Sequence, residues 1–430
     1  MIMNYIPRVV DAELDLRLRA VGATVLIGPK WCGKTTTAKQ KAKSVLEMQD
    51  PDLQEGYLRL AQTKPSLLLA GETPRLIDEW QIAPNLWDAV RVSVDRIGGK
   101  GLYLLTGSVV VDDKKIKHSG TGRISRLEMS TMSLYETQET SGELSLKGIF
   151  DDPGAAVDGA RSGLSIEQLI FSVCRGGWPA VMDISGDDAK LFIARDYLRN
   201  VTEVDISRVD DVERDPALAA QILRSYARNI STLATKTSIR KDVLSVRDVS
   251  MVTLDSYIRA LEKLFVLRDI EAWNPSIRSA TDIRAGKKRG FVDPSVAVAA
   301  LGVGPEYFLK DFKAFGFLFE SLVMRDLRVY SQSMGGQISY YRDRYGLEAD
   351  AVLHLEDGRY ALIEIKLGSV EIEEGASHLL EIKRLVAEHN ETEIQCPLRE
   401  PDLLIVITGG EMAYTRHDGV HVIPIGCLKP

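Results

Sequence analysis

The stretch Val21-Gly22-Ala23-Thr24-Val25-Leu26-Ile27-Gly28-Pro29-Lys30-Trp31-Cys32-Gly33-Lys34-Thr35-Thr36 decides the reading of this chain. Val21 to Ile27 is a largely apolar run that stops at Gly28, as a buried strand does. Gly28 to Thr35 matches GxxxxGK[ST] in full. From Thr35 to Met48 the pattern reads as a helix. Strand, glycine-bounded loop and helix, in that order, make a loop that cradles phosphates. The glycines let successive N–H groups turn inward, and the helix adds its positive N-terminal end. Lys34 is then placed to reach the β- and γ-phosphates and the Thr35 hydroxyl to coordinate Mg²⁺. Pro29, Lys30, Trp31, Cys32, Gly33 and Thr36 complete the expected cradle. ATP and Mg²⁺ are the cofactors this implies.

A second motif supports the first. Arg75-Leu76-Ile77-Asp78-Glu79 is a hydrophobic strand ending in two acids. At the C-terminal end of a parallel strand beside the loop, Asp78 would hold the Mg²⁺ shell and Glu79 would polarise an attacking water. Taken alone, such a pair is as readily a solvated strand end. Leu104-Leu105-Thr106-Gly107-Ser108 ends another strand, where Thr106 or Ser108 either touches the γ-phosphate or the lytic water or simply terminates the strand. Gly122-Arg123 and Arg126 follow. An arginine near such a loop stabilises transition-state charge in cis or in trans, the other reading being a surface arginine. Strand candidates at Ser66–Ala70, Arg75–Ile77 and Leu102–Leu105, with a helix at Leu86–Arg96, predict a mostly parallel sheet covered on both faces.

Working outward, 430 residues exceed one ordinary domain. Apolar residues at 45% and charged residues at 27% suit a globular protein, and a net charge of −7 argues against coating nucleic acid by bulk attraction. Cys32, Cys174, Cys396 and Cys427 lie far apart without metal-ligand spacing, which suits free thiols in a reducing cytosol. With no apolar leader in Met1–Ala12 and no run near the roughly 18 residues of a spanning helix, the expected location is cytoplasmic, away from membranes.

After Met132 the texture changes. Ser141–Leu164, rich in Gly, Asp and Ser, reads as an exposed connection, and Ser165–Leu264 is mainly helical. Phe265–Trp273 and Gly290–Asp293 look like two short strands around a polar loop. In Val252–Leu264 the helically spaced Leu254, Tyr257, Ile258, Leu261 and Leu264 read as a core face. Its Thr253, Tyr257, Arg259 side is the candidate recognition surface of a winged helix, with Arg284, Lys287, Lys288 and Arg289 on the wing. Solvated loops are the plainer reading of those residues and of Lys114, Lys115 and Lys117. Gly176-Gly177-Trp178-Pro179 reads as a structural turn with an anchored aromatic.

From Pro305 the elements run α-β-β-β-α-β: helix Phe315–Tyr330, strands Ser339–Arg342, Ala349–Leu355 and Tyr360–Ile365, helix Glu374–Glu388 and strand Asp402–Thr408. Glu348 and Asp350 open one strand and Glu364-Ile365-Lys366 ends the next. The two-residue period of a strand puts Glu364 and Lys366 on one face. Asp350 and Glu364, with Glu320 from the preceding helix, form a candidate divalent-cation site, and Lys366 would orient or deprotonate a water there. That is the chemistry of metal-dependent phosphodiester cleavage.

The order of these motifs resembles the bacterial and archaeal AAA-type ATPases of the AAA_14/DUF4143 family. The likeness runs through Gly28–Thr36, Leu76–Gln81, Leu105–Ser108, Gly122-Arg123, Met132–Glu136, Gly176–Pro179 and Phe317–Glu320. It implies an α/β fold in three parts: an AAA-type P-loop ATPase domain (1–150), a helical, winged-helix-like middle (151–304) and a C-terminal restriction-endonuclease-like domain of the PD-(D/E)XK type (305–430). Asp350, Glu364 and Lys366 match that last pattern, with Glu320 in its helical acid position. The expected function is an ATPase acting on DNA, its C-terminal domain carrying a metal-dependent nuclease site, in an assembly of several copies. The alternative is a nucleotide-gated interaction protein whose nuclease-like domain is silent. A small-molecule kinase ranks below both.

Overall fold

A computed structural model describes residues 5–108, 118–210, 212–245, 248–276, 285–392, 395 and 397–430. Lys114, Lys115, Lys117, Arg284 and Cys396 lie outside them. The first region is a five-stranded parallel sheet built on β1 (Ala23–Ile27), β2 (Ser44–Glu47), β3 (Arg75–Asp78), β4 (Tyr103–Gly107) and β5 (Ile124–Glu128), in the order β2-β3-β4-β1-β5. Its central strands are apolar at nearly every position because both faces are covered. Alternation divides them: Val25, Ile77 and Leu105 pack with Trp87 and Val90 on one face, and Leu26, Leu76 and Leu104 pack with Leu14 and Ala38 on the other. Helices α3 (Gln54–Thr63) and α4 (Asn85–Ile97) cover the first face; α1 (Val10–Ala20) and α2 (Lys34–Lys41) cover the second.

Two local expectations fail here. The helix after the loop ends at Lys41, and Ser44–Glu47 turns into edge strand β2, its Leu46 buried and its Val45 exposed. Four residues of mixed polarity are too few to break a helical reading. Ser66–Ala70 forms no strand: Pro65–Leu67 is a single 3₁₀ turn, set by the proline at its start.

The middle is helical, as the sequence implies. In the helix Met251–Lys263 the residues Leu254, Tyr257, Ile258 and Leu261 are buried, so that face belongs to the core. Among the described residues, Phe265–Trp273 makes isolated bridges rather than a ladder, antiparallel between Leu267 and Phe291 and between Ile270 and Lys288, and parallel between Ala272 and Tyr340.

The last region is a six-stranded mixed sheet of β6 (Gly336–Arg342), β7 (Glu348–Leu355), β8 (Tyr360–Lys366), β9 (Leu403–Thr408), β10 (Tyr414–Thr415) and β11 (His421–Pro424). Their order is β10-β11-β9-β8-β7-β6. The sheet separates two long helices, Phe312–Gln332 and Ile372–Thr392, in the expected α-β-β-β-α-β order with two further short strands.

The stretch Ser141–Leu164 is not an exposed connection. Leu146, Ile149, Phe150, Val157, Ala160 and Leu164 are buried in a core shared with the middle and C-terminal regions. Its strand Leu144–Ser145 pairs in parallel with Leu428–Lys429, and the Ser162 N–H donates to the Glu411 carbonyl at 2.8 Å. Six apolar residues scattered among Gly, Asp and Ser carry no period, so local pattern could not reveal this burial. No helix among the described residues is long and apolar enough to cross a membrane.

Candidate functional site

The loop between β1 and α2 is shaped by two glycines in the left-handed half of backbone space, Gly28 at φ 147° and Gly33 at φ 100°. A methyl group on Gly28 would lie 2.1 Å from the Met129 carbonyl oxygen, so only glycine lets the loop pack on the chain leaving β5. The buried Lys34 ammonium donates to the carbonyls of Gly28 at 3.0 Å and Pro29 at 2.6 Å, which folds the side chain back along its own loop. The Thr35 hydroxyl donates to Asp78 Oδ1 at 2.6 Å.

Strand order decides how the acids meet this loop. β4 stands between β1 and β3. Thr106, at the end of β4, bridges the gap: its hydroxyl donates to the same Asp78 oxygen at 2.5 Å and accepts from the Glu79 N–H at 3.4 Å. Thr35, Asp78 and Thr106 therefore form one contiguous group. Glu79 follows with φ 53° and ψ 46°, a left-handed conformation that is uncommon for a residue with a side chain. It turns the carboxylate to accept from the Gln81 amide and, at 3.4 Å, from the Ser108 hydroxyl. A hydroxyl and a carboxylate in contact behind a glycine-rich loop suit hydrated Mg²⁺, which takes one or two protein oxygens together with phosphate.

Arg123 is not brought to this group. It precedes β5, where its carbonyl accepts from the Ala23 N–H at the start of β1, the end of the sheet away from the loop. Its guanidinium pairs with Asp95 at 2.8 Å. Thr36 is exposed on the first turn of α2, while Lys30 and Trp31 face the middle region: Lys30 Nζ pairs with Asp205 at 2.6 Å and Trp31 lies 6.4 Å from the Tyr197 ring.

The loop is also held from behind, by Arg8, Arg325 and Asp326, which the sequence gave no reason to single out, and by residues of the Met132–Glu136 and Gly176–Pro179 stretches. Arg8 donates to the Cys32 carbonyl at 2.7 Å and pairs with Glu136 at 2.9 Å. Glu136 in turn caps the Ser133 N–H at 2.8 Å. The next residue, Leu134, donates its N–H to Asp326, which pairs with Arg325. Arg325 also pairs with Asp293, which accepts from the Thr131 hydroxyl and the Gly177 N–H. All three regions meet in this buried network. Burial and then the Arg325 charge act on Asp293 in opposite senses, and the net effect holds it below the usual carboxylate range. Gly177 belongs to the same junction, for a methyl group there would lie 1.9 Å from the Met132 carbonyl oxygen. Only Asp293, as a polar residue just before Pro294, carries a helix-capping signal legible in sequence.

The C-terminal acids do come together, but around lysines. Lys366 Nζ lies 2.5 Å from Glu364 and 3.5 Å from Asp350. Lys288, reaching in from the middle region, lies 2.5 Å from Glu348, 3.1 Å from Glu320 and 3.5 Å from Asp350. Its side chain is only 3% exposed, so it is neither a wing residue nor a solvated loop residue. Arg289, likewise expected on the wing, is buried and pairs with Asp269, while Lys287 pairs with Glu271.

Charge accounts for the cluster. Burial pushes Glu320 up to about 8, with Lys288 working against the shift. Burial and the neighbouring Asp350 push Glu364 up to about 8 as well. Asp350 also suffers burial, but the ammoniums of Lys288 and Lys366 outweigh it and hold that carboxyl low. With Glu320 and Glu364 holding their protons near neutral pH, the two ammoniums face the two acids that remain, Glu348 and Asp350. Among the described residues, no group of three or more His, Cys, Asp or Glu side chains is arranged to hold a metal ion.

The parallel sheet and glycine-bounded loop of the first region fit an AAA- or P-loop-like domain. Residues 21–138 match the family described as AAA domain. Residues 166–307 and 315–428 match two domains of unknown function, DUF8612 and DUF4143. The chain is similar to uncharacterized proteins of Mycobacterium tuberculosis and Mycobacterium bovis, each 24% identical over 361 residues, 83% of this chain and 73% of the relative. Together these matches support an AAA-like ATPase family and ATPase-type chemistry for the first region.

Proposed function

We propose that the chain is a Mg²⁺-dependent ATP hydrolase whose nucleotide state is passed to the two regions behind it. The observation that carries this reading is the contact of Thr35 and Thr106 with one oxygen of Asp78 behind the glycine-bounded loop. Gly28, Pro29, Gly33, Lys34 and Thr35 would hold the triphosphate, Thr35 and Asp78 the Mg²⁺ shell. Bound Mg²⁺ would neutralise phosphate charge. Lys34 would leave the loop carbonyls for the phosphates, and Glu79, turned by its backbone, would orient and polarise the water. Arg123 would act only in trans, in an assembly of several copies, since its own sheet holds it away from the loop.

The output is better read as nucleotide-gated interaction than as cleavage. Lys288 supports this, because it fills the acid cluster that a nuclease would need free for a cation. The expected DNA contact loses Lys288 and Arg289 of its basic wing, since both are buried against acids, while Lys287 stays at the surface beside Glu271. The winged-helix reading keeps the support of a helix followed by two antiparallel bridges.

Steady-state ATP turnover with Mg²⁺ tests the proposal, with and without duplex DNA. Turnover in the natural chain and its loss in Lys34→Ala are expected. Equal turnover in the two would sink it.

A further inference from the structure

A polar cleft of about 510 Å³ lies where the three regions meet, along edge strand β5. Arg126 and Glu128 of that strand line it, with Arg268 from the middle region and Arg328 and Gln337 from the C-terminal region. None of Gly28–Thr35 lines it. The acids around it already have cations: Glu128 pairs with Arg268 at 3.0 Å, Glu271 with Lys287 at 2.5 Å, and Asp269 with Arg289.

Arg328 differs. Among the described residues, none forms a hydrogen bond or ion pair with its guanidinium. It is half-buried and faces the cleft, beside a second guanidinium at Arg268. Burial, reinforced by Arg268, pulls it down to about 10, with Glu128 drawing the other way from beyond ion-pair range. It therefore stays charged at neutral pH. A half-buried guanidinium without a counter-charge, set beside a second one in a concave wall, presents its free donors to whatever enters the cleft. An anion would complete the pair. A guanidinium fork favours planar bidentate acceptors, phosphate above all. The volume lies within the roughly 300–1,000 Å³ of small-molecule sites.

We propose that this cleft binds a phosphate-bearing small molecule of about nucleotide size, with Arg328 as its anchor and Arg268 as its second cation. The site is separate from the glycine-bounded loop but adjoins it through β5, since Met129 after that strand packs on Gly28. A ligand held here would brace the wall of the first site.

The test uses the full chain carrying Lys34→Ala, which weakens binding at the loop, and Arg328→Gln assigns what remains to the cleft. Inorganic phosphate, a nucleoside monophosphate and a single-stranded DNA octamer are titrated by calorimetry. The expected result is saturable binding of the monophosphate, tighter than phosphate alone, weakened at least tenfold by adding Arg328→Gln. A thermal melt of Arg328→Met without ligand separates binding from architecture. Loss of an unpaired charge is expected to hold or raise the midpoint. No binding, binding indifferent to Arg328→Gln, preference for the octamer, or a lowered Arg328→Met midpoint would overturn the proposal.

Discussion

The two carboxylate sites of this chain look alike in sequence and differ in what fills them. At the N-terminal site the lysine of the motif is held by backbone carbonyls, and Asp78 meets only hydroxyls. At the C-terminal site Asp350 meets two ammoniums, one of them brought from a segment outside the motif. An acid satisfied by hydroxyls keeps its charge for a cation. One satisfied by ammoniums has already spent it. Completeness of a motif therefore says less about competence than the origin of the counter-charge.

Exchanging the equivalent acids should separate the sites most sharply. Glu79→Gln is expected to cut ATP turnover by about 10²–10⁴-fold while nucleotide still binds, the usual reach of a general base. Glu364→Gln should leave turnover within about twofold, as measured in parallel. A matching loss in Glu364→Gln would break the comparison.

The next effect is on stability. Lys288→Met leaves Glu320, Glu348 and Asp350 short of a buried cation. Removing one partner of a buried ion pair costs about 3–5 kcal/mol. Denaturant unfolding should show that loss, and Mn²⁺ should recover part of it in the variant but not in the natural chain.

A smaller effect tests the same cluster through pH. The folded-state pKa of Glu320 is pushed up to about 8, above its unfolded value, so the folded chain holds that proton more tightly. The associated stability is present at low pH and declines as pH rises from about 4.3 through 8. Glu320→Gln should flatten that decline in melts taken between pH 6 and 9; an unchanged slope would mean the proton is elsewhere.

The smallest effect is expected at Arg123. Its pair with Asp95 is exposed on both sides, and such pairs contribute about 0–1 kcal/mol. Arg123→Ala should barely move the melting midpoint. Its turnover, measured across protein concentrations, should fall only where copies associate.

What the sequence disclosed follows from how local each feature is. Gly28–Thr35 is contiguous, and its two glycines and lysine do their work within eight residues. The strands and helices from Phe312 to Thr408 are long and strongly patterned, and their order was legible; the short strands after them were not. Lys288 was misread because its partners Glu320, Glu348 and Asp350 lie in later elements, and a basic tripeptide beside a glycine resembles a solvated loop. Arg8 and Asp205 carried no signal, since each acts on the glycine-bounded loop from a distant part of the chain. β4 between β1 and β3 is a matter of topology, which residue pattern alone does not order.

Counting bound Mn²⁺ per chain by electron paramagnetic resonance, with and without a non-hydrolysable ATP analogue, tests the contrast most directly. One ion per chain that binds only with the analogue, and is lost in Asp78→Asn but not in Asp350→Asn, is the predicted result. An ion that binds without nucleotide and disappears in Asp350→Asn would contradict the account.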